Sequence, residues 1–306
     1  MDGPRVLIPL DGSELSAWTL DRAAGLLRRP GVQATLLGVV PASSELAADL
    51  AYGVDPRYAP FRDALAAARD RLLERGIGAR AELRFGAPPD AILREIREGG
   101  HHLVAMTTHG RTGLARAILG SVALQVLRGS PVPLLLFRPL RRPDDTLSPV
   151  ESREPAPFRR LLVLLDGSSL AEEILGPATS FALLAGAEIR LFTAVPGGPE
   201  RDLHERAARE RLELWSERLA AGGLRTSVDV RPGAAAPEAL EAARAWGADA
   251  MAMTTHGRTG LARALYGSVA ERVLADASLP LLVARSRSPA GAVAPAPEAG
   301  PVVHVP

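Results

Sequence analysis

Two hydrophobic periods alternate along the chain. Short continuous apolar runs, such as "RVLIPL" at 5–10 and "ATLLGVV" at 34–40, give way to segments with apolar residues three and four apart, as at Ala17, Leu20, Ala24 and Leu27. Runs of the first kind suit strands covered on both faces, and the second spacing suits a helix with one buried stripe. This pattern predicts strands near 5–10, 33–40, 79–85, 102–108 and 132–138, and helices near 13–29, 60–75, 88–98 and 121–129. Alternating elements of this length imply right-handed crossovers and a parallel, doubly wound α/β sheet.

The pattern then repeats. "RVLIPLDGSELS" near the start answers "RLLVLLDGSSLA" from Arg160, and "LGSVALQVLRGSPVPLLLF" from Leu119 answers "YGSVAERVLADASLPLLVA" from Tyr266. "FGAPPDAILREI" from Phe85 likewise answers "RPGAAAPEALEAA" from Arg231. The offset is 155 residues from Asp11 to Asp166 and 147 from Gly110 to Gly257, so the first copy carries a longer connection after its second strand. Gly176-Pro177 in the second copy is expected to kink the helix matching 13–29. The domains are therefore read as 1–138 and 158–286. Residues 139–157, rich in Pro and charge, form a linker, and 287–306 a tail expected to be disordered.

Composition narrows the chemistry. The formal net charge is +1, which gives no general pull toward nucleic acid or anionic membrane. With no cysteine, disulfides, thiolate catalysis and Cys-ligated zinc are excluded. All 36 basic residues are arginine, so neither a Walker A lysine nor a Schiff-base lysine exists. No apolar run reaches the roughly 18 residues of a membrane helix, and the first apolar run is too short for a signal peptide. A cytoplasmic protein is the expectation.

One stretch, "AMTTHGRTGLARA", appears letter for letter at 105–117 and 252–264. It leaves the fourth strand of each copy at its carboxyl end, where open parallel sheets bind ligands. Gly110, Gly113, Gly257 and Gly260 let backbone approach a ligand, and the helices that follow Gly120-Ser121 and Gly267-Ser268 present free N–H groups to an anion. Ser121 and Ser268 are expected to cap those helices. Asp11 and Asp166 open "DGS" before a helix, where an N-cap and a ligand or metal role both stand. His109 and His256 suit backbone contact or loop packing better than catalysis, since no partnered nucleophile accompanies them. Arg111 and Arg258 suit either phosphate or water. Trp18, Trp215 and Trp246 fall on helix patterns and read as packing, and His101-His102 as surface.

With these motifs in view, the chain resembles the universal stress proteins in their tandem two-domain form. The nucleotide-binding branch carries Gly, two residues, Gly, nine residues, then Gly and Ser or Thr. Here Gly110 leads to Gly120-Ser121 and Gly257 to Gly267-Ser268, while Thr107 and Thr254 stand at the first glycine. The resemblance implies two five-stranded, adenine nucleotide α-hydrolase-like sheets of order 3-2-1-4-5, paired through their last strands as an internal pseudo-dimer. It implies ATP, with magnesium or manganese, at two sites. The first comprises Pro9, Asp11, Val39, Thr107, Thr108, His109, Gly110, Arg111, Thr112, Gly113, Gly120, Ser121, Val122 and Ala123. The second comprises Leu165, Asp166, Ala194, Thr254, Thr255, His256, Gly257, Arg258, Thr259, Gly260, Gly267, Ser268, Val269 and Ala270. Asp11 and Asp166 are the candidate metal ligands.

The function so implied is an ATP-responsive regulatory or protective stress protein with at most slow hydrolysis, forming a homo-oligomer of tandem chains. The alternatives are a nucleotide-free interaction scaffold and a true ATP hydrolase. Of the two sites, the first is expected to be stronger, because it keeps Pro9 and Val39 while the second has Leu165 and Ala194.

Overall fold

The computed structural model describes residues 3–40, 59–108, 119–141, 147–148, 157–255, 267–286 and 302–305. The chain divides into two units, Met1–Pro155 with Ala292–Pro306, and Ala156–Gly291. In unit 1 the order is β1 (Arg5–Leu10), α1 (Glu14–Leu27), β2 (Gln33–Val40), α2 (Ala59–Glu74), β3 (Gly78–Phe85), α3 (Pro88–Glu98), β4 (Leu103–Thr107), α4 (Ser121–Gly129) and β5 (Leu134–Phe137). These five strands are parallel and lie in the order β3-β2-β1-β4-β5. A short antiparallel pair follows, β6 (Leu140–Arg141) and β7 (Leu147–Ser148), so the segment read as linker contains regular pairing.

Unit 2 repeats the plan: β8 (Arg160–Leu164), α5 (Ser169–Glu172), α6 (Leu175–Ala185), β9 (Glu188–Val195), α7 (Arg201–Ala221), β10 (Thr226–Pro232), α8 (Ala235–Trp246), β11 (Ala250–Thr254), α9 (Ser268–Asp276) and β12 (Leu281–Ala284). Its parallel order is β10-β9-β8-β11-β12, the same 3-2-1-4-5 arrangement. The central strands are buried throughout, with Val6, Leu7 and Ile8 in β1 and every residue of β4 and β11 shielded from solvent. That burial is why these strands read as unbroken apolar runs.

Local chemistry sets where the helices begin. In both copies a glycine in the left-handed region, Gly12 at φ 78° and Gly167 at φ 81°, turns the chain out of the first strand. The N-caps are Ser13 and Ser168, not the aspartates: Ser13 Oγ accepts from the Ser16 amide at 3.2 Å and Ser168 Oγ from the Ala171 amide at 3.1 Å. Each aspartate secures its cap. The Ser13 amide and hydroxyl donate to Asp11 Oδ1 at 2.9 and 2.6 Å, and Ser168 makes the same pair to Asp166 Oδ1.

The predicted kink at Pro177 is a full break. α5 ends at Glu172 and α6 starts at Leu175, because Pro177 offers no N–H to the carbonyl of Glu173 and its ring crowds that carbonyl. Pro177 itself sits in the first turn of α6, where its missing donor costs nothing. On α1, Leu20, Ala24 and Leu27 are buried as expected but Ala17 is exposed. The buried face instead takes in Leu15, Trp18 and Ala23, with Trp18 edge-on to Phe137 at 6.2 Å.

Two further expectations are corrected. Val302–Val305 of the tail forms β13, antiparallel to β3, with His304 opposite Glu82 and Val302 opposite Arg84. A valine-rich segment completes the hydrogen bonding of an edge strand, which apolar patterning within the tail alone does not reveal. His101 is buried, not on the surface, and its Nε2 lies 2.8 Å from Glu95 Oε1. The other Glu95 oxygen takes the Arg84 guanidinium, whose Nε donates at 2.8 Å and whose Nη2 also bonds Glu98 at 2.9 Å. Gly99 has no room for a side chain, since a Cβ there would collide with His101 and Glu95. In the second copy Ala242 and Ala248 stand where Glu95 and His101 do, and the cluster is absent.

Burial alone would raise the Glu95 carboxyl, yet the hydrogen bonds from His101 and Arg84, with their charges, hold it below the usual carboxylate value. A depressed carboxylate contributes stability above its unfolded-state value and loses it as pH falls through the folded one. Glu95→Gln should therefore cost unit 1 about 3–5 kcal/mol at pH 7, because it strands a buried guanidinium. The gap from the parent should narrow as pH drops below the ordinary glutamate range. Urea unfolding followed through Trp18 fluorescence, at pH 7 and at acid pH, checks both. Ser13→Ala and Ser168→Ala should each cost about 1 kcal/mol by loss of a cap, the first followed through Trp18 and the second through Trp215 and Trp246.

Candidate functional site

In each copy the fourth strand and the following helix are joined at their ends. The Thr108 amide donates to the Phe137 carbonyl at 2.9 Å, and the Gly120 amide donates back to the Thr108 carbonyl at 2.6 Å. In unit 2 the Thr255 amide donates to Ala284 and the Gly267 amide to Thr255, both at 3.0 Å. These bonds bring Gly120 and Gly267 back to the carboxyl ends of β4 and β11 whatever path the intervening residues take. That path carries His109, Gly110, Arg111, Thr112 and Gly113, and His256, Gly257, Arg258, Thr259 and Gly260, which lie outside the described residues.

The helices so positioned start bare. Gly120 and Gly267 are the N-caps, in extended conformation, and neither has a side-chain cap hydrogen bond. Ser121 and Ser268 are the first helical residues, so the expected serine caps are not formed. The amides of Ser121, Val122 and Ala123, and of Ser268, Val269 and Ala270, are first-turn groups without an acceptor inside their own helix, and the helix dipole favours an anion there.

In unit 2 this helix start opens onto a cavity of about 510 Å3. Its walls come from the carboxyl ends of four strands: Leu164 on β8 with Leu165 and Asp166 beyond it, Phe192 through Val195 on β9 with Pro196 beyond it, Gly233 after β10, and Met253 and Thr254 on β11. Ala171, Ala235 and Ala239 close the sides, and Gly267 through Ala270 supply the polar end. The structure thus gathers Leu165, Asp166, Ala194, Thr254, Gly267, Ser268, Val269 and Ala270 in one place. Thr255 is buried.

The volume lies inside the range of about 300–1,000 Å3 usual for small-molecule pockets, and the mix of apolar walls with a few polar groups is equally typical. Phe192, Thr193, Met253, Gly233, Ala235 and Ala239 were not anticipated as lining residues. Gly233, Ala235 and Ala239 lie in the repeated segment "RPGAAAPEALEAA", and Met253 in the duplicated stretch at 252–264.

In unit 1, Asp11 occupies the same turn as Asp166, Pro9 and Val39 are half-buried at strand ends, and Thr107 and Thr108 are buried. Gly120 through Ala123 repeat the helix start. Cavities of about 240 and 110 Å3 lie between α1 and α2, the smaller reaching Leu10, Gly12 and Ser13 at the end of β1. Among the described residues no group of three or more His, Asp or Glu is placed to hold a metal ion. No helix among them is long and apolar enough to cross a membrane.

Comparison with known proteins matches this architecture. The model of the universal stress protein family fits residues 4–138 and again 157–285. A universal stress protein of Mycobacterium tuberculosis is 29% identical over 224 residues, 69% of this chain and 70% of that one. Among solved structures, a universal stress protein from Archaeoglobus fulgidus superposes with a TM-score of 0.70 at 20% identity, over 93% of this chain and 99% of its own. A further one from Pseudomonas aeruginosa gives 0.64 at 21%, covering 92% and 93%. At that identity the structures speak for the fold alone, but the family model covers both copies: the chain belongs to the universal stress protein family, as two tandem members in one polypeptide.

Proposed function

We propose that this protein binds ATP and acts as a nucleotide-responsive regulatory or protective stress protein, with at most slow hydrolysis. The observation that carries this reading is the cavity of about 510 Å3 that ends on the uncapped start of α9. An apolar chamber suits a flat base, and bare first-turn amides suit phosphate oxygens. Neither feature supplies a nucleophile or a paired general base, which argues against fast chemistry.

Magnesium or manganese would accompany the triphosphate and supply charge neutralisation there. Asp166, which lines the same cavity as the helix start, and Asp11 in the matching turn are the acidic groups that would hold it, although one oxygen of each already serves its serine cap. A scaffold that has lost nucleotide is the second reading. It is favoured by the buried Thr107 and Thr254, whose side chains stand where the family motif has glycine.

Titration with Mg-ATP should give saturable binding, and ATP should be recovered from denatured protein. Absence of affinity at millimolar nucleotide would leave the scaffold reading in its place. Ser268→Glu should weaken ATP by at least about tenfold, roughly 1.4 kcal/mol, by placing a carboxylate where a phosphate belongs. An anion at a helix start does not destabilise the helix, so the thermal midpoint should hold. Steady turnover above about 1 s⁻¹, abolished by Asp11→Asn with Asp166→Asn, would instead make the protein an ATP hydrolase.

A further inference from the structure

The copies agree letter for letter in the loop but differ in the walls. Ala194, Ala235 and Ala239 line the unit 2 cavity. The matching positions of unit 1, 155 residues earlier for β9 and 147 for α8, hold Val39, Pro88 and Ile92. Each is a larger aliphatic side chain, and Ile92 is buried.

Most of the other lining positions are unchanged. Met253, Leu165 and Ala270 around the cavity are answered by Met106, Leu10 and Ala123, the same residue types. The differences that run the other way cancel locally. Thr193 stands where unit 1 has Gly38, but a Cβ at Gly38 would lie 2.8 Å from the Phe61 ring and 2.9 Å from Leu83, so that space is already filled. The α7 residue matching Phe61 is Ala208. Phe192 for Leu37 and Leu164 for Pro9 are the remaining enlargements, and both bound the cavity without closing it.

We propose that the two sites are unequal and that unit 2 takes the nucleotide first, its three alanines leaving the width that a purine ring needs. This rests on the ATP-binding reading and reverses the order expected from Pro9 and Val39. Val39 narrows its site in the same way as Ile92, so its retention is a reason for weaker binding.

Methionine methyl groups report on the sites separately. The chain has four methionines, of which Met253 lines the unit 2 cavity and Met106 holds the same place in unit 1. In full-length protein labelled at the methionine methyls and assigned with Met106→Leu and Met253→Leu, Mg-ATP should shift the Met253 signal at a concentration at least about tenfold below any shift at Met106, a difference of roughly 1.4 kcal/mol. Ala239→Ile should move the Met253 response at least tenfold higher in ATP, and Ile92→Ala should bring the Met106 response down toward it.

The isoleucine is the residue unit 1 already accommodates, and retained dispersion of the remaining methyl signals shows that each variant folds. Simultaneous shifts in the parent, or Met106 responding first, would overturn the inequality. If ATP moves neither methyl, the ATP reading fails, and adenine at millimolar concentration decides the inference alone. A shift at Met253 without Met106 sustains unequal cavities, whereas both or neither moving ends the proposal.

Discussion

Much of the molecule hangs on one backbone hydrogen bond made twice, from the amide that opens the last helix of a unit to the carbonyl just beyond its fourth strand. Gly120 to Thr108 and Gly267 to Thr255 fix a helix start against the end of a buried strand. A parallel sheet covered on both faces cannot shift that strand without uncovering its core. The helix dipole is therefore held at a constant place by residues on either side of the loop. The loop's identity in the two copies is then most simply a matter of what it faces.

Away from that bond the copies have drifted in opposite senses. Unit 1 has placed an ionic cluster, Arg84 with Glu95 and His101, whereas unit 2 keeps an arginine, Arg231, but has Ala242 and Ala248 at the other two positions. Such a cluster is stable only when complete, because each member left alone is a buried charge or donor without compensation. Arg84 Nη1 and His101 Nδ1, buried and without a hydrogen-bond partner among the described residues, show how little slack it has. Unit 2 has instead kept small residues on both sides of α8, trading polar specificity for room at the strand ends. One fold thus carries a half with a buried ionic cluster and a half with a wider cavity.

How much of this could be read from the sequence depended on the range of the interaction. Strand positions, strand order through the resemblance, and the tandem division rest on local periodicity and repetition, and these were legible. The break before Pro177 was legible as a kink because proline acts within one turn. The burial of His101 was not. Its partners meet it only after the Gly99–Gly100 turn and the pairing of β3, and an adjacent pair of histidines gives no hint of that. The cavity was the hardest feature, since its cause is a lack of bulk at Ala194, Ala235 and Ala239. Alanine looks alike whether it faces a helix or an opening.

The strand at 302–305 gives the first unit a boundary that sequence order does not respect. Its sheet is finished by residues that leave the ribosome after every strand of the second unit. During synthesis, which proceeds at about 5–20 residues per second, β3 waits with a bare edge while some 200 further residues are made. The half of the protein that begins first is the half that is completed last, so a premature stop anywhere in the second unit leaves a flaw in the first.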